Sequence, residues 1–206
     1  MTSAAAEDLA AGLDRLAEQV LANLAPLSFD LARTPASVDA VLRMRYECVV
    51  EMGWARPEDF PDGRERDEYD DGATQLVCRD GSAIVGTLRL VRPEPHRPLP
   101  VERDFGIRID PPGEALDSGR LVVAPSHRGL EGHPVLSGLY SRCWLEARRL
   151  GYRRIVAAAS PDLVDLYKSL GLRIRFLGPP KMSWGQKRRP YEISGREDTF
   201  AAVAGG

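Results

Sequence analysis

The chain has 206 residues, of which 43% are apolar and 28% charged, and its formal net charge is −2. That size and balance suit one globular α/β domain with a full core, and the charge excludes any general attraction to nucleic acid or an anionic bilayer. No apolar run approaches the length of a membrane span, and the N-terminus lacks the basic region and apolar stretch of a signal peptide, so a cytoplasmic setting is expected.

Taken in chain order, Leu9, Leu13, Leu16, Val20 and Leu24 recur at spacings of three and four and predict an amphipathic helix over 3–24. Residues 27–32 alternate like a strand. Thr34-Pro35 then offers an N-cap followed by proline at the first helical position, and the helix runs to about Val50. Residues 53–72 are polar and rich in acids, a loop long enough to suggest a role. Strands over 75–79 and 82–91 flank Asp80-Gly81, a tight-hairpin signal. Residues 92–113 are rich in proline and read as mostly loop. A buried strand follows at 120–123, a helix at 134–150 closed by Gly151, and a strand at 154–159. Ser160-Pro161 caps a short helix ending at Gly171, and 172–177 and 190–193 read as the last strands. A hairpin followed by βαβ units implies a mixed central sheet with helices on both faces. The expected division is an N-terminal helix at 1–26, an α/β domain at 27–195 and a tail at 196–206.

Cys48, Cys78 and Cys143 are widely spaced, and His96, His127 and His133 share no ligand spacing, so neither a disulfide framework nor a metal site is expected. The basic run from Gln186 to Arg189 reads as solvated surface.

Two stretches resemble the GNAT superfamily. One is Leu121-Val122-Val123-Ala124-Pro125-Ser126-His127-Arg128-Gly129 before a helix, similar to the central strand and phosphate-binding turn. The other is Tyr167-Lys168-Ser169-Leu170-Gly171-Leu172, similar to the family's Y-x-x-x-G-F segment with leucine for phenylalanine. The resemblance covers roughly 27–194. It implies a GNAT fold, a pantetheine thioester as acyl donor, and backbone N–H groups near Val122, Val123, Arg128 and Gly129 facing that donor. Glu131 and His133 stand where the family usually has glycines, and a carboxylate beside a pyrophosphate is repulsive. The turn therefore favours phosphopantetheine on a carrier protein over coenzyme A, with no bound cofactor.

A second series is Arg45, Trp54, Glu65-Arg66-Asp67-Glu68-Tyr69-Asp70, Gly86-Thr87-Leu88-Arg89-Leu90, Phe105 and Asp117-Ser118-Gly119-Arg120. It is similar to the acyl-homoserine-lactone synthases and N-acyl amino acid synthases, whose motifs include E-x-D-x-x-D, G-x-x-R-L and E-x-S-R. The first two stand intact. In the third, Asp117 replaces the glutamate and Gly119 the serine.

Arg45 falls on the apolar stripe of its helix, where a guanidinium needs an anionic partner; Glu65, Asp67 and Asp70 are the candidates. They serve either as an ion-pair network fastening the loop or as carboxylates facing the acceptor amine, with Glu65 as a catalytic candidate. Arg89 is either a solvated strand residue, a member of the same cluster or a holder of substrate carboxylate. Asp117 and Arg120 flank the start of the central strand, as surface or turn chemistry or as a catalytic group and a substrate contact. Trp54 and Phe105 lie in loops, packing beneath them or lining an acyl pocket. Tyr167 resembles the GNAT tyrosine that protonates the leaving thiolate, and its apolar neighbours suit a packing role equally.

The expected reaction is transfer of an acyl group from an acyl carrier protein or carrier domain to a small amine. The alternatives are an acyl-homoserine-lactone synthase consuming S-adenosylmethionine, and a non-catalytic protein of the same fold that binds an acyl chain or a carrier.

Overall fold

The computed structural model describes residues 3–130, 133–169 and 174–194. Contacts divide the chain into two compact units, one of Leu16–Val91 with Ser118–Glu146, the other of Met1–Arg15, Arg92–Asp117 and Ala147–Gly206. The elements are α1 (Ser3–Ala22), β1 (Ser28–Leu31), α2 (Pro35–Glu51), β2 (Thr74–Asp80), β3 (Ala83–Val91), α3 (Pro100–Phe105), β4 (Leu116–Val123), α4 (Pro134–Arg149), β5 (Arg154–Ala159), α5 (Pro161–Ser169), β6 (Arg175–Phe176), β7 (Lys181–Ser183) and β8 (Gln186–Ser194). Among the described residues the fold is mixed α/β, with eight strands that pair mostly antiparallel.

In the first unit the strand order is β1-β2-β3-β4. Thr34 starts α2 with a capping box: its hydroxyl accepts from the Ser37 amide at 3.1 Å, and the Ser37 hydroxyl accepts from the Thr34 amide at 3.0 Å. Two orphan amides are thereby satisfied, and Pro35 supplies the helical φ in advance. The stripe that α2 buries is Val41, Leu42, Met44, Arg45, Cys48 and Val49. β2 and β3 pair antiparallel around Asp80-Gly81, and Gly81 takes the left-handed conformation the turn requires (φ 57°). A bulge between Cys78 and Arg79 resets the register, so that Gln75 faces Arg89. α4 seats closely because two positions lack side chains. A Cβ on Gly138 would lie 2.1 Å from the Phe29 ring, and one on Gly86 would lie 2.4 Å from Val135 Cγ1.

In the second unit the order is β4-β5-β8-β6, with β7 also on β8. Leu116 and Asp117 of β4 pair parallel with Ile155 and Val156 of β5, and β5 pairs antiparallel with β8. Glu192 on β8 is buried between Arg154 and Arg175. Burial raises its carboxyl, but bonds and charges from those two arginines outweigh it and hold it low.

Several expectations need correcting. The proline-rich stretch 92–113 contains α3, and Phe105 is the last residue of that helix rather than part of a loop. Pro100 at the first helical position and Glu102 in the first turn were helix-start signals among the prolines. β4 begins at Leu116, so Asp117 and Arg120 lie within it rather than at its start. Asp, Ser and Gly are poor strand formers, and here sheet pairing overrides that preference. The basic run from Gln186 opens β8, paired to the unforeseen strand β7. Leu170, Gly171 and Leu172 of the second family segment, and Glu131 and Gly132 of the turn, lie outside the described residues.

Candidate active site

Four segments of the first unit build the site. α2 presents Arg45 from its buried stripe. The acid-rich loop then doubles back: the Glu65 amide donates to Leu42 O at 3.1 Å, the Tyr69 amide to Asp67 Oδ1 at 2.9 Å, and the Asp67 amide to Asp70 Oδ2 at 2.9 Å. Short acidic side chains that bond neighbouring amides fold such a loop locally. The effect is to gather three carboxylates, to which β3 adds Arg89 and β4 adds Arg120.

The six charges close into a ring. Arg45 donates to Glu65 and reaches both Asp70 oxygens, at 2.7 and 3.2 Å. Arg89 donates to Asp70 Oδ2 at 2.8 Å and to the two Asp67 oxygens at 2.6 and 3.1 Å. Arg120 donates to Asp67 Oδ2 at 2.6 Å and to Glu65 Oε1 at 2.9 Å. Each guanidinium thus bridges two carboxylates and each carboxylate bridges two guanidiniums. Three of each sign cancel, which removes the cost of burying a net charge.

Burial within the ring is uneven, and the difference decides what a ligand can reach. Arg45, Glu65 and Arg89 are each 1% exposed. Asp67 and Arg120, bonded to each other, keep 14% and 13% of their side chains exposed. Burial raises the Asp67 carboxyl, but the Arg89 bonds and the charges of Arg120 and Arg89 outweigh it and hold it well below the usual carboxylate range. Asp70 is also raised by burial and is held low by the Arg45 bond and the charges of Arg45 and Arg89. Both are therefore fixed anions at neutral pH and poor proton acceptors.

Arg120 carries a second signature. Its φ is 52°, in the left-handed region that a strand residue other than glycine rarely adopts. Such a conformation costs about 1–3 kcal/mol and persists where the surroundings over-determine it. Here the guanidinium is fixed by Glu65 and Asp67, and the Arg120 carbonyl accepts from Thr87 Oγ1 at 3.4 Å.

Gln75 was missed by the sequence reasoning. Its Nε2 donates to Asp70 Oδ1 at 2.8 Å, and its buried Oε1 has no partner among the described residues. A polar side chain opening the apolar run Gln75-Leu76-Val77-Cys78 was the available signal. The register shift at the Cys78–Arg79 step, where Val85 is the extra residue on β3, hides the register that sets it opposite Arg89.

The other candidates take up different positions. Trp54, with Ile84 and Ala124, packs against Met44, Cys48 and Val122. The Val123 carbonyl accepts from Arg128 Nε at 2.8 Å and from the Cys48 thiol at 3.8 Å. Arg128 also pairs with Glu51, and Gly129 turns the chain at φ 69°. Arg128 is thus tied to the strand end and to α2. In the second unit, Asp117 is 3% exposed, and its Oδ2 accepts from the Val101 amide at 2.7 Å, holding the first turn of α3. Tyr167 is fully buried, with its ring 5.7 Å from that of Tyr191. Phe105 is half-buried at the end of α3.

Among the described residues no group of three acidic, histidine or cysteine side chains could hold a metal ion, and no helix is long and apolar enough to cross a membrane.

Residues 44–137 match the acetyltransferase (GNAT) domain family. An acyl-homoserine-lactone synthase of Ralstonia nicotianae is 29% identical over 172 residues, covering 75% of this chain and 80% of the relative. One from Ralstonia solanacearum is 28% identical over 166 residues with the same coverage. Among solved structures, TofI in a ternary complex with an inhibitor and MTA superposes with a TM-score of 0.65 at 24% identity, over 86% of this chain and 95% of TofI. FeeM, an N-acyl amino acid synthase from uncultured soil microbes, superposes with a TM-score of 0.61 at 15% identity, over 83% and 92%. These two structures share the fold.

Proposed function

We propose that this chain, whose residues 44–137 match the acetyltransferase (GNAT) domain family, passes an acyl group from a carrier-protein phosphopantetheine thioester to the amine of an amino-acid-like acceptor. The observation that carries this reading is the partly exposed Asp67–Arg120 pair on an otherwise sealed neutral ring. A carboxylate and a guanidinium side by side complement a zwitterion: Asp67 receives the α-ammonium and Arg120 the α-carboxylate. The remaining four members hold that pair in place, Glu65 by gripping Arg45 and Arg120. Arg89 and Asp70 grip Asp67 from the other side.

The amine must lose its proton to attack the thioester carbon. A carboxylate held far below neutrality is a poor base, so Asp67 and Asp70 bind rather than deprotonate. Attack forms a C–N bond and a tetrahedral oxyanion, which backbone N–H groups near Val122 and Val123 would stabilise. Collapse breaks the C–S bond and releases the thiolate, and the proton given up by the amine passes to solvent or to that thiolate. On the donor side, Arg128 is engaged with Val123 and Glu51, and this supports a donor that needs no pyrophosphate cradle.

A second reading is favoured by the curated relatives, which are acyl-homoserine-lactone synthases. S-Adenosylmethionine is itself an α-amino acid and would use the same pair. One experiment separates the readings: acyl-carrier protein or acyl-coenzyme A is offered with an amino-acid panel that includes S-adenosylmethionine, and products are identified by mass spectrometry. Acyl amino acids formed from the carrier thioester support the first reading. Acyl-homoserine lactone selects the second, and preference for acyl-coenzyme A rejects the carrier donor. No acylated product from either donor overturns both.

A further inference from the structure

Away from the charge ring, three side chains of the first unit line up as hydroxyl, imidazole and carboxylate. The chain leaves β4 in a single 3₁₀ turn, Pro125–His127. Ser126 Oγ lies 2.9 Å from His127 Nδ1, and His127 Nε2 lies 3.3 Å from Asp80 Oδ2 at the end of β2.

The partners fix the roles. A carboxylate only accepts, so Nε2 carries the ring hydrogen and donates to Asp80. In the neutral ring Nδ1 is then the unprotonated nitrogen, and it accepts from the Ser126 hydroxyl. That is the order of an activated serine, hydroxyl to base and base to an orienting carboxylate. Successive residues of a 3₁₀ turn point about 120° apart, so adjacent side chains do not meet by default. Here the contact is held from outside, by Asp80 on the neighbouring hairpin. Arg128 does not compete for Asp80, because its guanidinium is bonded to the Val123 carbonyl and to Glu51. Ser126 is exposed, while the His127 side chain is 17% exposed, so the nucleophile is reachable and its base is partly sheltered. Three residues of chain span at most about 11 Å, which bounds the distance from Ser126 to Val123.

We propose that Ser126 is a second nucleophile that takes acyl groups from thioesters, with His127 as its base and Asp80 as a positioning residue. The choice of a thioester rests on the acyl transfer proposed above; the activation of the hydroxyl does not. Ser126 Oγ attacks the carbonyl carbon as its proton passes to His127 Nδ1. A C–O bond forms, the C–S bond breaks, and the proton moves from Nδ1 to the leaving sulfur. The products are an ester at Ser126 and a free thiol. Attack by water on that ester then releases the carboxylic acid and returns a proton to Oγ.

The test treats the intact protein with a small fluorophosphonate and, separately, with the octanoyl thioester of N-acetylcysteamine, and maps adducts by peptide mass spectrometry. The fluorophosphonate should label Ser126 and spare Ser82, an exposed serine on the neighbouring hairpin. His127→Gln should slow that labelling about 100-fold, with partial rescue by added imidazole. Ring nitrogen resonances of His127 should show the Nε2–H tautomer. Asp80→Asn keeps a favourable Asn-Gly turn, and should shift that tautomer and slow labelling about tenfold. Equal labelling of Ser82, an unchanged rate in His127→Gln, or an Nδ1–H tautomer in the parent would each overturn the activated serine. A fluorophosphonate adduct with neither an octanoyl ester at Ser126 nor Ser126-dependent release of octanoate would overturn the thioester as its substrate. Neither probe contains a carrier or an amine acceptor, so failure of the proposed acyl transfer would appear in its own assay and not in this one.

Discussion

Replacing Arg89 by methionine opens the charge ring at one point. The side chain is 1% exposed and makes three hydrogen bonds, two to Asp67 and one to Asp70. Its loss leaves the remaining five members with a net charge of −1 in a buried setting. Removing one partner of a buried pair typically costs about 3–5 kcal/mol. A control is Arg43→Met, which breaks the Asp39 pair, whose side chains are 52% and 39% exposed; there the cost should stay within about 1 kcal/mol. Urea unfolding measures both. The double variant Arg89→Met with Asp70→Leu restores neutrality, so its loss should fall well short of the sum of the two single losses. A cost below about 1 kcal/mol for Arg89→Met, or strict additivity in the double variant, would refute the ring as a coupled buried network.

Other outcomes follow from the same contacts. Asp67 and Asp70 have carboxyls lowered from an ordinary value of 3.8, so their contribution to stability is complete above that value and is lost as pH falls through their lower folded values. Unfolding free energy measured against pH should therefore decline with acidification below about pH 4, and Asp67→Asn should flatten that decline. Gly138→Ala drives a methyl into the Phe29 ring and should cost about 1–3 kcal/mol in urea unfolding, partly recovered by Phe29→Leu. Burial pushes the Cys78 and Cys143 thiols up to about 12 and also raises Cys48. A thiol reagent at neutral pH should label none of the three until denaturant is added; rapid labelling of the folded protein would contradict their burial.

Much of the site could be read from side-chain chemistry along the chain. Arg45 on an apolar helical stripe demands an anion, and the nearest acid-rich loop supplies it. The Thr34-Pro35 start of α2 and the Asp80-Gly81 turn carry local signals strong enough to stand without tertiary context. Closure of the ring was not legible in this way. It depends on the bulge at Cys78 that sets Gln75 opposite Arg89, and on the positive φ of Arg120, neither of which has a local sequence signature. Asp117 was misread for a related reason. Its partner is the Val101 amide, sixteen residues away on a helix hidden among prolines, and backbone amides leave no trace in a side-chain pattern.

An acid-rich loop of twenty residues beside a substrate site invites comparison with a lid that opens to admit ligand. The fastening described above argues for the opposite behaviour. Glu65, Asp67 and Asp70 each grip two guanidiniums, anchored on α2, β3 and β4, and Tyr69 is buried beneath Arg89. To swing away, the segment would have to break all six charge contacts at once. Its amides should exchange with deuterated water as slowly as those of the strands it covers. The acceptor then meets a preformed surface, and discrimination among amines rests on fit to a rigid template rather than on closure around the guest.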